Sequence, residues 1–137
     1  MRIKHGLIAR FLLVFTAWCI AGDSAVVGLW TGESTCTVPH SPCHDEHALY
    51  RISTDKSEPA KVAIDAYKVV DGKPEFMGTI ACDYDAAAGK LTCTANSPRK
   101  DEWEFHVSGS TMTGTLRIGS EKTLYRRINL HKQSEKN

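Results

Sequence analysis

From residue 26 onward, apolar side chains recur at every second position of the chain. Trp103, Phe105 and Val107 alternate with charged or polar neighbours, and Met112, Leu116 and Ile118 alternate with polar or charged neighbours in the same way. A period of two places successive side chains on opposite faces of a β-strand, whereas a helix needs apolar residues at every third or fourth position. The pattern therefore predicts an all-β protein built from half-buried strands.

Turn residues divide this pattern into about eight strands. Asp71-Gly72 is a typical hairpin turn, and Gly89 and Gly119-Ser120 mark further turns. Connections this short make sequential strands antiparallel neighbours. The predicted strands cover residues 26–35, 46–55, 61–70, 75–84, 90–96, 101–108, 111–119 and 122–131.

Eight sequential strands in one domain can be arranged in two ways. They either close into an up-and-down barrel or divide between the two sheets of a β-sandwich. Closure leaves no unpaired edge strand, and such an edge is a template for aggregation. We therefore predict a closed antiparallel barrel over residues 26–137, with a β-sandwich as the alternative.

Residues 1–25 have the order of a secretory signal peptide. Basic residues precede an apolar run at residues 11–21, and small and polar residues follow. A transmembrane helix needs about 20 apolar residues, and this run is roughly half as long. We expect cleavage at a site from just after Ala21 to just after Ala25, export to the periplasm or the cell exterior, and no membrane insertion of the mature chain.

One of the five cysteines leaves with the signal peptide, so the mature chain keeps four. An even number in an exported protein indicates two disulfide bonds, in one of three pairings. Pairing of the strands around residue 87 places Cys82 opposite Cys93, where Cβ atoms lie about 4.5 to 5.5 Å apart. This register predicts the bond Cys82–Cys93 and, by elimination, Cys36–Cys43.

Charge and motifs exclude several functions. The signal peptide takes three of the 17 basic and one of the 16 acidic residues, which leaves a net charge near −1. A near-neutral domain has no electrostatic basis for binding nucleic acid. The chain has no G-x-S-x-G, H-E-x-x-H, P-loop or G-x-G-x-x-G motif. We therefore expect a protein without enzymatic activity and without a cofactor.

Two segments carry a resemblance to a known group of barrels. Gly28-Leu29-Trp30 opens the first predicted strand, and Arg126 lies in the last one. A G-x-W motif followed by a terminal arginine resembles the calycins, which include lipocalins and fatty-acid-binding proteins. The resemblance implies that Arg126 stacks on Trp30 and closes the barrel, since a guanidinium packs well on an indole ring. Both residues would then be structural.

The segment between the first two strands concentrates unusual chemistry. G-x-W-x-G together with S-P-C-H-D-E is similar to a group of small uncharacterised exported bacterial proteins. Pro39 and Pro42 prevent a helix here and predict a stiff loop. This loop could serve as a structural connector, contact a partner, or bind a metal ion. The candidate metal ligands are His40, His44, His47, Asp45 and Glu46.

The sequence thus predicts an exported, non-catalytic binding protein. Its first version holds a small apolar ligand inside a lipocalin-like barrel, because eight-stranded barrels can hold one small ligand. The candidate ligand-binding residues are Tyr50, Phe76, Trp103 and Phe105. One alternative is an interaction protein that acts on a secreted partner through an exposed segment, as bacterial metalloprotease inhibitors do. The other is a metal-binding exported protein that uses the loop at residues 40–47.

Overall fold

Eight antiparallel strands form one closed sheet in the computed structural model, which describes residues 25–55, 57–95 and 97–135. Each strand pairs with the next, and β1 also pairs with β8. The predicted up-and-down barrel is confirmed. The predicted signal peptide lies, up to residue 24, outside the described residues. The strands are β1 Gly28–Cys36, β2 Glu46–Thr54, β3 Lys61–Val70, β4 Lys73–Asp85, β5 Lys90–Thr94, β6 Glu102–Ser108, β7 Thr111–Ile118 and β8 Thr123–Lys132.

The up-and-down order gives the barrel two different ends. We call the end that carries the β1–β2, β3–β4, β5–β6 and β7–β8 connections the open end, and the opposite one the closed end. Along each strand, alternate side chains face the interior, as the sequence period requires. Within the described residues, no helix has the length and apolar character to cross a membrane.

The closed end is built around Trp30, whose side chain is fully buried. Its indole Nε1 donates a hydrogen bond of 2.9 Å to the carbonyl of Val26. The Lys132 Nζ lies 5.7 Å from the centroid of the Trp30 ring and donates a hydrogen bond of 2.9 Å to the carbonyl of Ala25. A lysine ammonium within about 6 Å of a ring is attracted to the π-face. A cation from the last strand therefore covers the tryptophan of the G-x-W motif.

The expected contact between Arg126 and Trp30 is wrong. The pairing of β1 with β8 places Lys132 opposite Trp30 and Arg126 opposite Cys36. Six positions along a strand correspond to about 20 Å, so Arg126 belongs to the open end. The physical reason is the stagger between the first and last strands, which decides which cation reaches the ring.

Both predicted disulfide bonds are confirmed. Cys82 and Cys93 are paired across β4 and β5, and both face the interior, where they are buried. Cys36 and Cys43 close the loop between β1 and β2. Such bonds are typical of proteins that mature in an oxidising compartment.

A β-bulge reverses the facing of β4 near the open end. Ala66 pairs with Gly78, but the next residue, Tyr67, pairs with Phe76, so Met77 is the extra residue. One extra residue moves the side chains beyond it to the opposite face. Phe76 is accordingly 60% exposed, with its ring 5.3 Å from that of Tyr67. Its predicted place in the interior is therefore wrong.

Gly114 provides a test of the interior packing. It pairs with Phe105, and a Cβ at residue 114 would lie 2.3 Å from Cδ1 of the Phe105 ring. Gly114→Ala should therefore lower the free energy of unfolding by about 1 to 3 kcal/mol, because the ring must leave its position. Urea denaturation of the oxidised protein measures this change. The exposed neighbour substitution Thr113→Ala should change it by less than about 0.5 kcal/mol, and equal effects would contradict the packing described here.

Candidate functional site

A cavity of about 580 Å³ lies at the open end of the barrel. It lies between the ends of β1, β3, β5 and β7 and the beginnings of the strands that follow them. This is the mouth of the barrel, a position that ligands often occupy in β-barrels. Its lining includes Ser34, Glu46, Tyr50, Ala66, Met77, Gly78, Ile80, Arg99, Trp103, Leu116 and Arg126.

One part of this lining is apolar. Trp103 on β6 pairs with Leu116 on β7, so their side chains lie next to each other on the inner face. Ile80 and Met77 on β4 add aliphatic surface. These residues supply the aromatic and aliphatic walls that are typical of sites for small organic ligands.

The other part of the lining is a hydrogen-bonded group around Arg126. Its Nη1 donates to the Ser34 hydroxyl at 3.2 Å, and its Nη2 donates to Glu46 Oε1 at 3.2 Å. The side chains of Arg126 and Glu46 are 13% and 24% exposed, and Ser34 is buried. A guanidinium in so little water requires a counter-ion, which Glu46 provides.

Tyr50 lies on the inner face of β2, beneath the Arg126 group. Its ring packs edge-on against Phe105, with the centroids 6.1 Å apart. Burial and, to a smaller extent, the negative charge of Glu46 raise the pKa of Tyr50 to about 12, although the nearby Arg126 acts in the opposite direction. The hydroxyl therefore stays protonated and available as a hydrogen-bond donor in the cavity.

Arg99 contributes a second guanidinium from the connection between β5 and β6. Its Nη2 donates a hydrogen bond of 2.9 Å to Asp101 Oδ2, and the Asp101 side chain is only 8% exposed. The Tyr125 ring lies near both cations, with its centroid 5.7 Å from Arg99 Cζ and 5.9 Å from Arg126 Cζ. Each cation at the mouth is thus paired with its own carboxylate.

Three of the four predicted ligand-binding residues lie inside the barrel. Tyr50 and Trp103 line the cavity, and Phe105 is fully buried against Tyr50. Phe76 lies on the outer surface, as described above. The predicted aromatic interior is therefore correct for β2 and β6, and wrong where the bulge changes the parity of β4.

The predicted metal ligands are not brought together. Asp45 Oδ1 accepts a hydrogen bond of 2.8 Å from the backbone N–H of Cys36, and His47 Nδ1 lies 2.7 Å from Glu33 Oε1 on the outer surface. Glu46 points the other way, to Arg126. His40 and His44 are exposed. Across residues 25–55, 57–95 and 97–135, no group of three or more histidine, cysteine, aspartate or glutamate side chains has a metal-binding arrangement.

Sequence reasoning missed the polar half of the cavity. Ser34 is absent from the predicted site residues, Glu46 is predicted as a metal ligand, and Arg126 is predicted to stack on Trp30. The signal was nevertheless present, since Ser34 and Trp30 have the same parity on β1, and Glu46 and Tyr50 have the same parity on β2. Residues of equal parity face the same side of a strand, so these two polar groups should have been placed inside.

Comparisons with known protein families and with curated proteins found no match to this chain. The functional argument therefore depends on the geometry of the open-end cavity.

The Arg126–Glu46 pair yields a stability prediction. Arg126→Met removes the cation and leaves a largely buried carboxylate unpaired, so the free energy of unfolding should fall by about 1 to 3 kcal/mol. Adding Glu46→Gln should restore part of this loss, because the uncompensated charge is gone. Urea denaturation at pH 7 measures both variants.

Lys122→Met is the control. It breaks an exposed pair with Glu102 and should lower the free energy of unfolding by less than about 0.5 kcal/mol. A double variant no more stable than Arg126→Met would contradict the pairing.

The raised pKa of Tyr50 predicts a loss of stability in alkali. The tyrosine ionises at 10.0 when solvated and at about 12 in the folded barrel. Between these values the unfolded chain binds fewer protons, so the stability contribution is complete below pH 10 and is lost as the pH rises toward 12. At pH 11 the loss is about 1.4 kcal/mol. Tyr50→Phe should lack this component, whereas the outer-face control Tyr67→Phe should keep it. Urea denaturation at pH 9 and pH 11 distinguishes them, and identical losses in both variants would refute the assignment.

Proposed function

We propose that this barrel is a non-catalytic binding protein that holds a small, mainly apolar molecule in its open-end cavity. The observation that carries the proposal is the cavity itself, of about 580 Å³. This volume lies within the range of about 300 to 1,000 Å³ that small-molecule sites occupy. Its walls combine Trp103, Leu116 and Ile80 with a few polar groups, and such sites are usually built in this way.

The shape of the barrel supports the calycin resemblance. A closed eight-stranded antiparallel sheet has a cation over the tryptophan of its G-x-W motif at one end and a cavity at the other. In this proposal the closed end is structural and the open end binds. The two disulfide bonds support a place of action in the periplasm or outside the cell.

Exposed apolar side chains at the β3–β4 hairpin favour a second candidate, contact with a secreted protein. Val70, Phe76 and Met77 are 39%, 60% and 45% exposed, and exposed apolar surface often marks interaction sites. Met77 also lines the cavity, whereas Phe76 lies on the outer surface. Substitutions at Phe76 therefore separate the two candidates, because Phe76 is outside the cavity.

Fluorescence titration with the neutral apolar probe N-phenyl-1-naphthylamine tests the proposal. The wild-type protein should bind one equivalent saturably, with an increase in probe fluorescence. Ile80→Trp fills part of the cavity, so it should weaken binding by about tenfold or more, equivalent to about 1.4 kcal/mol. Phe76→Ala, on the outer face, should leave the Kd unchanged.

Equal unfolding free energies for the two variants would show that the effect is local. Absence of saturable binding, or equal weakening by Ile80→Trp and Phe76→Ala, would reject the cavity as the site.

A further inference from the structure

The cavity contains a hydrogen-bond donor that has no partner within the described ranges. The Tyr50 side chain lines the cavity, and its hydroxyl makes no hydrogen bond to residues 25–55, 57–95 or 97–135. The hydroxyl oxygen is not sealed from solvent, so it faces the cavity and can donate a hydrogen bond to a molecule there. A ligand that offers an acceptor at this point gains a hydrogen bond without breaking one within the barrel.

The charges around the cavity are already neutralised. Arg126 is paired with Glu46 at 3.2 Å, and Arg99 is paired with Asp101 at 2.9 Å. An anionic ligand would have to share Arg126 with Glu46, so its charge would lie beside that carboxylate. A cationic ligand would approach two guanidinium groups in a site with little water, where repulsion between like charges is strong. Neither an anionic nor a cationic ligand therefore gains an unpaired charge of opposite sign.

Glu46 is the group that disfavours an anion. Its carboxylate lines the same cavity as Tyr50, and its side chain is only 24% exposed. A second carboxylate beside it would be repelled, whereas a neutral acceptor carries no net charge to repel. Arg126 also has N–H groups beyond those bonded to Ser34 and Glu46, because a guanidinium has five donors. A neutral oxygen can accept from these donors without breaking the ion pair.

We propose that the ligand is a neutral amphipathic molecule whose carbonyl oxygen, as in a ketone, ester or amide, accepts a hydrogen bond from Tyr50. The apolar part of the molecule lies against Trp103, Leu116 and Ile80. This inference rests on the proposed function, and it adds the chemical class of the ligand. It also assigns Tyr50 as the residue that determines specificity.

Competition among three ligands of equal chain length tests this class. 2-Undecanone, undecanoate and 1-aminoundecane are titrated, below their aggregation concentrations, against protein loaded with N-phenyl-1-naphthylamine at pH 7.5. The acid is ionised and the amine is protonated at this pH. The ketone should displace the probe at a concentration at least about tenfold lower than either charged ligand.

Two variants test the role of the hydroxyl. Tyr50→Phe should reduce the preference for the ketone over 1-aminoundecane by about fivefold, because the ketone loses a hydrogen bond that the ammonium group, which has no acceptor, cannot make. The matched variant Tyr67→Phe removes the same group from the outer face and should keep the wild-type preference. Unfolding measurements at pH 7.5 establish that both variants are folded.

The outcomes separate the two proposals. If the protein binds the probe but undecanoate or 1-aminoundecane displaces it at the same or a lower concentration than the ketone, the neutral-carbonyl proposal is overturned. The binding function would still stand. A ketone preference unchanged by Tyr50→Phe would overturn the assignment of Tyr50. No binding of the probe, and no heat with any of the three ligands in calorimetry, would overturn both.

Discussion

The pairing of β1 with β8 is the constraint on which the rest of the molecule depends. It gives every strand two neighbours, so the sheet has an inside and an outside and no free edge. Once the sheet is closed, the odd or even position of a residue along its strand decides whether its side chain faces the protein interior or water. The same pairing fixes the stagger that places Lys132 at Trp30 and Arg126 at the open end. Closure therefore determines the core and the cavity together.

The two ends differ because their inner side chains differ in volume. Trp30, Met112 and Leu130 fill the closed end. At the open end, the inner positions of β3 and β4 are occupied by Ala66 and Gly78, and a Cβ at Gly78 would meet no atom within 4 Å. An eight-stranded barrel is just wide enough for side chains to fill, so small residues at one end leave space there. The cavity thus follows from small residues at the open end, beside the bulge in β4.

Much of the fold could be predicted from the sequence because apolar and polar residues alternate along most strands, even where individual positions depart from the pattern. The alternation gave strand positions within a few residues of those observed, and it placed Cys82 opposite Cys93. It failed where the pairing changes by one residue, and Phe76 lies outside for that reason. A bulge depends on contacts between strands, so no single strand reveals it. The polar cavity group was missed because Arg126 was positioned by resemblance and the stagger of β1 against β8 was unknown.

The interior position of the Cys82–Cys93 bond has a consequence for the order of events during maturation. Both sulfur-bearing side chains are enclosed by the finished barrel, where an oxidising enzyme cannot reach them. Burial therefore favours oxidation of the thiols while the sheet is still open. They belong to adjacent strands separated by a short connection, so they can meet before the chain ends do. A chain that closes before this hairpin is oxidised would enclose two thiols.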